Sequence, residues 1–303
     1  MIDILIIGAG PAGMSAAIYA RRALKKTTLL EANSYGGQII NTLEIDNYPV
    51  APHISGFDFA TNLYNQAKEL GAEFIFEKAT SIKKEKNHFE VSTPKNTYQA
   101  KTIIIATGAD NRKLGIARED ELIGKGISYC ATCDGAFYKG KDVAVVGGGN
   151  TAIEDAIYLS NIVNKVYLIH RRDEFRGDII GLEELQKKDN VEFVLNSNVI
   201  ELKGQDRLDE IIVSNKNGSK NNIKVNGLFV AIGRVPESEF IANIIDTDEA
   251  GYIKANESCH TNIEGIYVAG DNRVKDLRQL VTATSDGAIA ATEAVKYLQK
   301  KDK

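Results

Sequence analysis

Two cysteines stand two residues apart in Cys130-Ala131-Thr132-Cys133-Asp134-Gly135, and an acid follows the second directly. A close pair of this kind is either catalytic or metal-binding. A zinc site would need two more ligands, and none of the four histidines, His53, His88, His170 and His260, stands at finger-like spacing from the cysteines. No metal is therefore expected, and redox chemistry at the pair is. The attacking species in such chemistry is a thiolate, so the surroundings should lower a thiol pKa. Asp134 is placed to pass a proton to or from the neighbouring thiolate. Its structural alternative is a helix cap or a turn residue. Cys259, the third cysteine, stands alone before His260 and reads as an incidental thiol.

Two glycine-rich turns lie around this pair. The apolar run Ile2 to Ile7 suits a buried parallel strand and leads straight into Gly8-Ala9-Gly10-Pro11-Ala12-Gly13. A helical apolar pattern follows over residues 14 to 24. In such a turn the first glycine permits the tight bend, the second lets a pyrophosphate approach the backbone, and the third lets helix pack on strand. The free N–H groups of the helix start then face phosphate. The next strand, Thr27 to Leu30, ends in Glu31, placed to accept hydrogen bonds from a ribose diol. After the cysteines the pattern recurs. The strand Asp142 to Val146 leads into Gly147-Gly148-Gly149-Asn150-Thr151-Ala152, with a helix from about Thr151 to Ser160. The following strand, Lys165 to Ile169, ends in His170-Arg171-Arg172, with Arg176 further on. An acid at this place favours a bare ribose, whereas an arginine cluster suits a 2′-phosphate. The second turn is therefore expected to take NADP(H) rather than NAD(H).

The rest of the chain organises these units. Gly36-Gly37-Gln38 and Glu44-Ile45-Asp46-Asn47-Tyr48-Pro49 are loops by composition. Residues 56 to 70 look helical, 73 to 92 read as short strands, and Thr102 to Ala106 is a buried strand closed by Thr107-Gly108-Ala109. Polar residues 110 to 127 form a crossing between domains. Strands are expected near 191 to 195, 198 to 203, 208 to 213 and 227 to 231, the last ending in Ile232-Gly233-Arg234. A return crossing follows over about 234 to 245, then a buried strand ending in Gly270-Asp271, then a long helix from Leu280 to Gln299 closed by Lys300-Lys301.

Length and charge bound the function. A chain of 303 residues suggests about two domains. Its net charge is -4, which argues against a general nucleic-acid binder. No signal-peptide pattern precedes the first strand, and no run of about 18 apolar residues occurs, so a cytoplasmic protein without a membrane span is expected.

Taken together, these motifs resemble the low-molecular-weight, bacterial-type thioredoxin reductases, a class of flavoprotein pyridine nucleotide-disulphide oxidoreductases. The match also takes in Ala106-Thr107-Gly108-Ala109 and Arg278-Gln279, and spans nearly the whole chain. It implies an α/β fold of two Rossmann-like dinucleotide-binding domains, of the three-layer ββα sandwich type, the second inserted into the first. Residues 1–113 and 240–303 would form the FAD domain, and 114–239 the NADPH domain carrying the cysteines. One non-covalent FAD per subunit would lie along Gly8, Gly10, Pro11, Ala12, Gly13, Glu31, Gly37, Gln38, Asn47 and Ala79. Ala106, Thr107, Gly108, Gly270, Asp271, Arg278, Gln279 and Leu280 would complete that site. NADPH would meet Gly147, Gly149, Asn150, Thr151, His170, Arg171, Arg172, Arg176, Ile232 and Gly233. Cys133 would face the flavin, and Cys130 would attack thioredoxin or a thioredoxin-like protein. A homodimer is implied. Two other readings stay open: the same reductase fed by ferredoxin, and a flavin-binding redox sensor.

Overall fold

The computed structural model describes residues 1–42, 44–241 and 243–301. The chain divides into two compact units, Met1–Asp110 with Val235–Lys303, and Asn111–Arg234. The first begins with β1 (Ile2–Ile7), α1 (Pro11–Arg22), β2 (Thr27–Leu30), α2 (Gly56–Glu69), β3 (Glu73–Ile75), β4 (Ser81–Lys84), β5 (Phe89–Ser92) and β6 (Thr97–Ile105). The crossing strand β7 (Ala109–Asn111) leads into the second unit. That unit holds α3 (Glu119–Leu122), β8 (Ile127–Ser128), α4 (Ala131–Asp134), β9 (Asp142–Gly147), α5 (Asn150–Ser160), β10 (Lys165–Ile169), α6 (Ile179–Gln186) and β11 (Val191–Val194). It continues with β12 (Ser197–Lys203), β13 (Glu210–Asn215), β14 (Lys220–Lys224) and β15 (Gly227–Ala231). The strand β16 (Arg234–Pro236) returns the chain, and β17 (Ile266–Val268) and α7 (Leu280–Lys301) complete the first unit.

Each unit is built on parallel strands that are apolar on both faces, as buried crossover sheets require. In the first, β3, β2, β1, β6 and β17 are parallel neighbours in that order, and β5 and β4 extend β6 as antiparallel strands. Alternation along β1 sends Ile4 and Ile6 into the core under α1 and α7, and Leu5 and Ile7 into the opposite core with Val91 and Ile253. In the second unit the parallel order is β11-β10-β9-β15-β8. One face, with Val143, Val145 and Phe229, packs on Ala152, Ala156 and Leu159 of α5. The other, with Ala144 and Leu228, packs on Val199, Ile211 and Val213 of the antiparallel sheet β12-β13-β14. This is a ββα layering.

Among the elements outside the expectation from sequence are two longer ones. The first is β14, which pairs with β13 from Glu210 to Ser214, so β13 also runs beyond residue 213. Its residues Lys-Asn-Asn-Ile-Lys place one apolar side chain on a solvated strand, too little for a period-2 signal. The second is α6, whose N-terminus is capped by Asp178 accepting from the Gly181 amide at 3.1 Å. Its first residues, Ile179 and Ile180, are 71% and 76% exposed, which breaks the apolar stripe that marks a helix in sequence.

Candidate active site

Cys130 and Cys133 are joined in a disulphide. The pair is carried by α4, a single turn with Cys130 at its N-cap and Gly135 at its C-cap. Gly135 allows this turn to settle onto α5: a Cβ there would stand 2.9 Å from the Tyr158 ring and 3.1 Å from Leu159. The strand before the pair, β8, is fixed by parallel pairing of Ser128 with Phe229 on β15. Both cysteines and Asp134 are half-buried. Burial pushes the Asp134 carboxyl above its ordinary value, opposed by a hydrogen bond from Ser128. Thr132 Oγ1 lies 3.5 Å from Cys130 Sγ. One residue before the pair, the Tyr129 hydroxyl donates to Glu119 Oε1 at 2.8 Å. Glu119 is 3% exposed, and its carboxylate also accepts from the Leu114 and Gly115 amides, each at 2.8 Å.

In the first unit the strand ends gather most of the residues singled out for FAD. Gly8 has φ +107°, and a Cβ there would overlap the Ala106 carbonyl at the end of β6. Glu31, at the end of β2, accepts from the Ala9 amide at 2.7 Å and the Asn33 amide at 2.9 Å. A Cβ on Gly37 would stand 3.3 Å from Gly10 Cα, so the second glycine loop meets the first backbone to backbone. Thr107 donates to the Glu237 carbonyl at 2.7 Å, and Gln38 donates to Asp110 at 2.7 Å. Asn47 donates to Gln279 Oε1 at 3.1 Å, tying its loop to the residue before Leu280 and α7. The Gly270 amide donates to Asp286 at 3.0 Å, and Arg278 Nε donates to the Asp271 carbonyl at 3.3 Å. Ala79 is a core residue, 6% exposed, in the cluster with Leu5, Ile7 and Leu30.

In the second unit Gly147, Gly149, Asn150 and Thr151 form the turn between β9 and α5. His170 is turned inward rather than out with the arginines. It is 8% exposed, stacks on Phe175 at 4.9 Å, and fills the space where Gly148 would carry a Cβ. Burial holds its pKa below the ordinary histidine value, so the ring stays neutral near pH 7. Arg171, Arg172 and Arg176 are exposed and meet no carboxylate among the described residues. The Arg176 amide donates to the Gly148 carbonyl at 2.7 Å, which ties the arginine loop to the glycine turn. Gly233 accepts from the Arg112 amide at 3.0 Å, and Ile232 precedes it at the end of β15. An open cleft of about 530 Å³ on this unit is lined by Phe175, Leu182, Phe193 and Leu195, not by the redox pair.

The residues fit two dinucleotides. The helices α1 and α5 both start at a glycine N-cap without a side-chain hydrogen bond; Pro11 has no N–H, so the Ala12 and Gly13 amides of α1 and the Asn150 and Thr151 amides of α5 are the ones that face an anion. A Cβ on Gly149 or Gly108 would meet nothing within 4 Å, which leaves room for a ligand against bare backbone. Both turns lie at the carboxyl ends of parallel strands, where such sheets bind nucleotides.

Comparison with known proteins agrees with this geometry. The family of pyridine nucleotide-disulphide oxidoreductases matches residues 2–287. This chain belongs to that family. Curated relatives include the thioredoxin reductases of Listeria monocytogenes, 43% identical over 98% of this chain and 94% of that protein, and of Bacillus subtilis, 40% identical over 98% of this chain. The crystal structure of thioredoxin reductase from Streptococcus pyogenes is 40% identical and covers 99% of both chains with a TM-score of 0.95. Members of the oxidoreductase family couple a pyridine nucleotide, through a flavin, to a disulphide, and the Cys130–Cys133 pair is the disulphide this chain offers. Among the described residues no helix is long and apolar enough to cross a membrane. Sequence reasoning missed Ser128, Glu119, Tyr129 and Asp286. Each acts through a long-range or side-chain contact that no local motif announces.

Proposed function

We propose that this oxidoreductase is an NADPH-dependent thioredoxin-disulphide reductase, a cytoplasmic homodimer holding one non-covalent FAD per subunit. The observation that carries the reading is the half-buried Cys130–Cys133 disulphide beside Asp134, on the same unit as a nucleotide turn flanked by exposed arginines. The relatives named thioredoxin reductase favour it over the ferredoxin-fed and sensor alternatives. FAD, when bound, supplies a two-electron store between nucleotide and disulphide. The loops at Gly8–Gly13, Gly37 and Gly270 would hold it, with Glu31 at the ribose. Arg171, Arg172 and Arg176 would grip the 2′-phosphate of NADPH. The Cys130–Cys133 bond takes up two electrons and opens. Asp134, whose carboxyl burial pushes above its ordinary value, would pass a proton to one sulphur. The Cys130 thiolate then attacks the thioredoxin disulphide, and Cys133 resolves the mixed disulphide. Thioredoxin sits at about -270 mV, and ~30 mV corresponds to ~1.4 kcal/mol for two electrons, so the pair must work within some tens of millivolts of it.

Anaerobic titration of the purified yellow protein tests this reading. NADPH should bleach the flavin at far lower concentration than NADH, and Cys130→Ser should keep the colour but stop reduction of thioredoxin. Continued turnover by that variant would remove the dithiol from the mechanism.

A further inference from the structure

We propose that Ser128 is a positioning residue for the redox centre: one hydroxyl binds both the Asp134 carboxylate and the backbone amide of Cys130, and so fixes the acid relative to the sulphur pair. The proposal rests on the dithiol reading above. Ser128 is 4% exposed and is held in register by β15. Its Oγ donates to Asp134 Oδ2 at 2.6 Å and accepts from the Cys130 amide at 3.1 Å. A hydroxyl has one proton, so the 3.3 Å approach to the Cys130 carbonyl is secondary. The Asp134 amide donates to that same carbonyl at 3.1 Å. The turn is thus closed once through backbone and once through the serine. Among the described residues no other side chain donates to the Asp134 carboxylate.

Proton balance gives the bridge a task. Reduction of the pair breaks one S–S bond, takes two electrons from reduced flavin or an external dithiol, and takes one proton to give one thiol and the Cys130 thiolate. Asp134 supplies one proton and regains it from solvent. The carboxylate left behind keeps the Ser128 hydrogen bond, which is stronger to a charged acceptor than to a neutral one. Ser128 therefore favours release of the proton. Burial and this bond are the two influences on Asp134, acting in opposite directions. Other titratable groups stand around it. Tyr138 on the next turn is pushed up to about 12 by burial and by the Asp134 charge, with Arg207 acting the other way. The helix α5, packed on α4, carries Glu154, Tyr158 and Asp155, the last pushed up to about 7 by burial.

The test uses the full chain, reduced with dithiothreitol and desalted, then alkylated with iodoacetamide between pH 5 and 9. Mass spectrometry reads the rate at Cys130 in the wild type, Ser128→Ala, Ser128→Thr and Asp134→Asn. The expected wild-type profile has a break from Asp134 titration. Ser128→Ala should move that break up by about one pH unit, since the charged form loses its donor. Ser128→Thr should restore the wild-type profile, and Asp134→Asn should lack the break. A Ser128→Ala profile that overlays the wild type, while Asp134→Asn loses the break, overturns the positioning role and leaves the acid assignment standing. Ser128→Thr behaving like Ser128→Ala overturns it as well, because packing rather than the hydroxyl would then matter. Beside the break from the Cys130 thiol itself, an Asp134→Asn profile with the same number of breaks as the wild type overturns both the positioning role and the acid role.

Discussion

Arg171 and Arg172 are the side chains on which nucleotide choice should turn. They are exposed and meet no carboxylate among the described residues. A hydrogen bond to a charged group contributes about 1.5–3 kcal/mol. Replacing both by Ala should therefore lower the NADPH-over-NADH preference by about 100-fold or more, read as the ratio of kcat/KM values. Asp286 works at the same scale in the first unit. It is 3% exposed and binds the Gly270 amide, Arg273 at 2.9 and 3.0 Å, and Lys275 at 2.7 Å. Burial pushes its carboxyl up, but the bonds from Arg273 and Lys275 win and hold it below the ordinary 3.8. A folded-state value below the unfolded one gives stability that is full above the unfolded value and is lost as pH falls through the folded one. Thermal stability should thus decline below about pH 4 in the wild type. Asp286→Asn strands two buried cations and should cost about 3–5 kcal/mol already at pH 7, with most of that acid-dependent loss gone. Melting curves from pH 3 to 7 check both.

At the scale of elements, α7 shows where packing overrules propensity. Gly287 lies in the middle of this helix, where Gly→Ala ordinarily stabilises by about 1 kcal/mol. Here a Cβ would overlap the Ala12 carbonyl and stand 2.9 Å from the Ala16 amide, both backbone atoms of α1. Overpacking of this kind costs about 1–3 kcal/mol, so the sign should reverse. Gly287→Ala should lower the melting temperature and weaken FAD retention on dilution, because α1 begins at the first glycine turn. The sequence announced α1 and β1 through a glycine turn and a six-residue apolar strand, but not this contact, which joins residues 275 apart. The same limit explains the rest. The two parallel sheets were legible because their strands are apolar on both faces. The strand β14 was hidden by its polar residues, although Asn217-Gly218 ahead of it is a hairpin signal. Ser128 was hidden because a serine before a cysteine has no pattern of its own. Only β8 and β15 in register reveal its reach to Asp134. The histidine of His170-Arg171-Arg172 was grouped with the arginines in sequence, yet Phe175 and Gly148 give it an interior place.

For the molecule as a whole, the proposed electron path sets a geometric demand. The sulphur pair belongs to the second unit, and the residues assigned to the flavin belong to the first. On that proposed path the same pair would meet the flavin in one step and a bulky protein disulphide in the next, which we propose takes two poses. The chain passes between its units next to β7 and β16, which pair as a two-stranded ribbon. We propose that the sulphur-bearing unit rotates about this ribbon between the two steps. Glycines with positive φ stand beside it, Gly108 at +70° and Gly233 at +103°. Glu119 extends the connection inward, since its carboxylate binds Leu114 and Gly115 just past the crossing and Tyr129 just before Cys130. A reversible cross-link between the units should then reduce NADPH-driven turnover of thioredoxin to near zero while leaving bound FAD in place. A locked protein should still complete one half-reaction, either bleaching with NADPH or reducing thioredoxin once, but not both in succession. Cleaving the linker should restore the cycle. Full turnover in the linked state would mean that a single arrangement serves both partners, and the rotation would have no role.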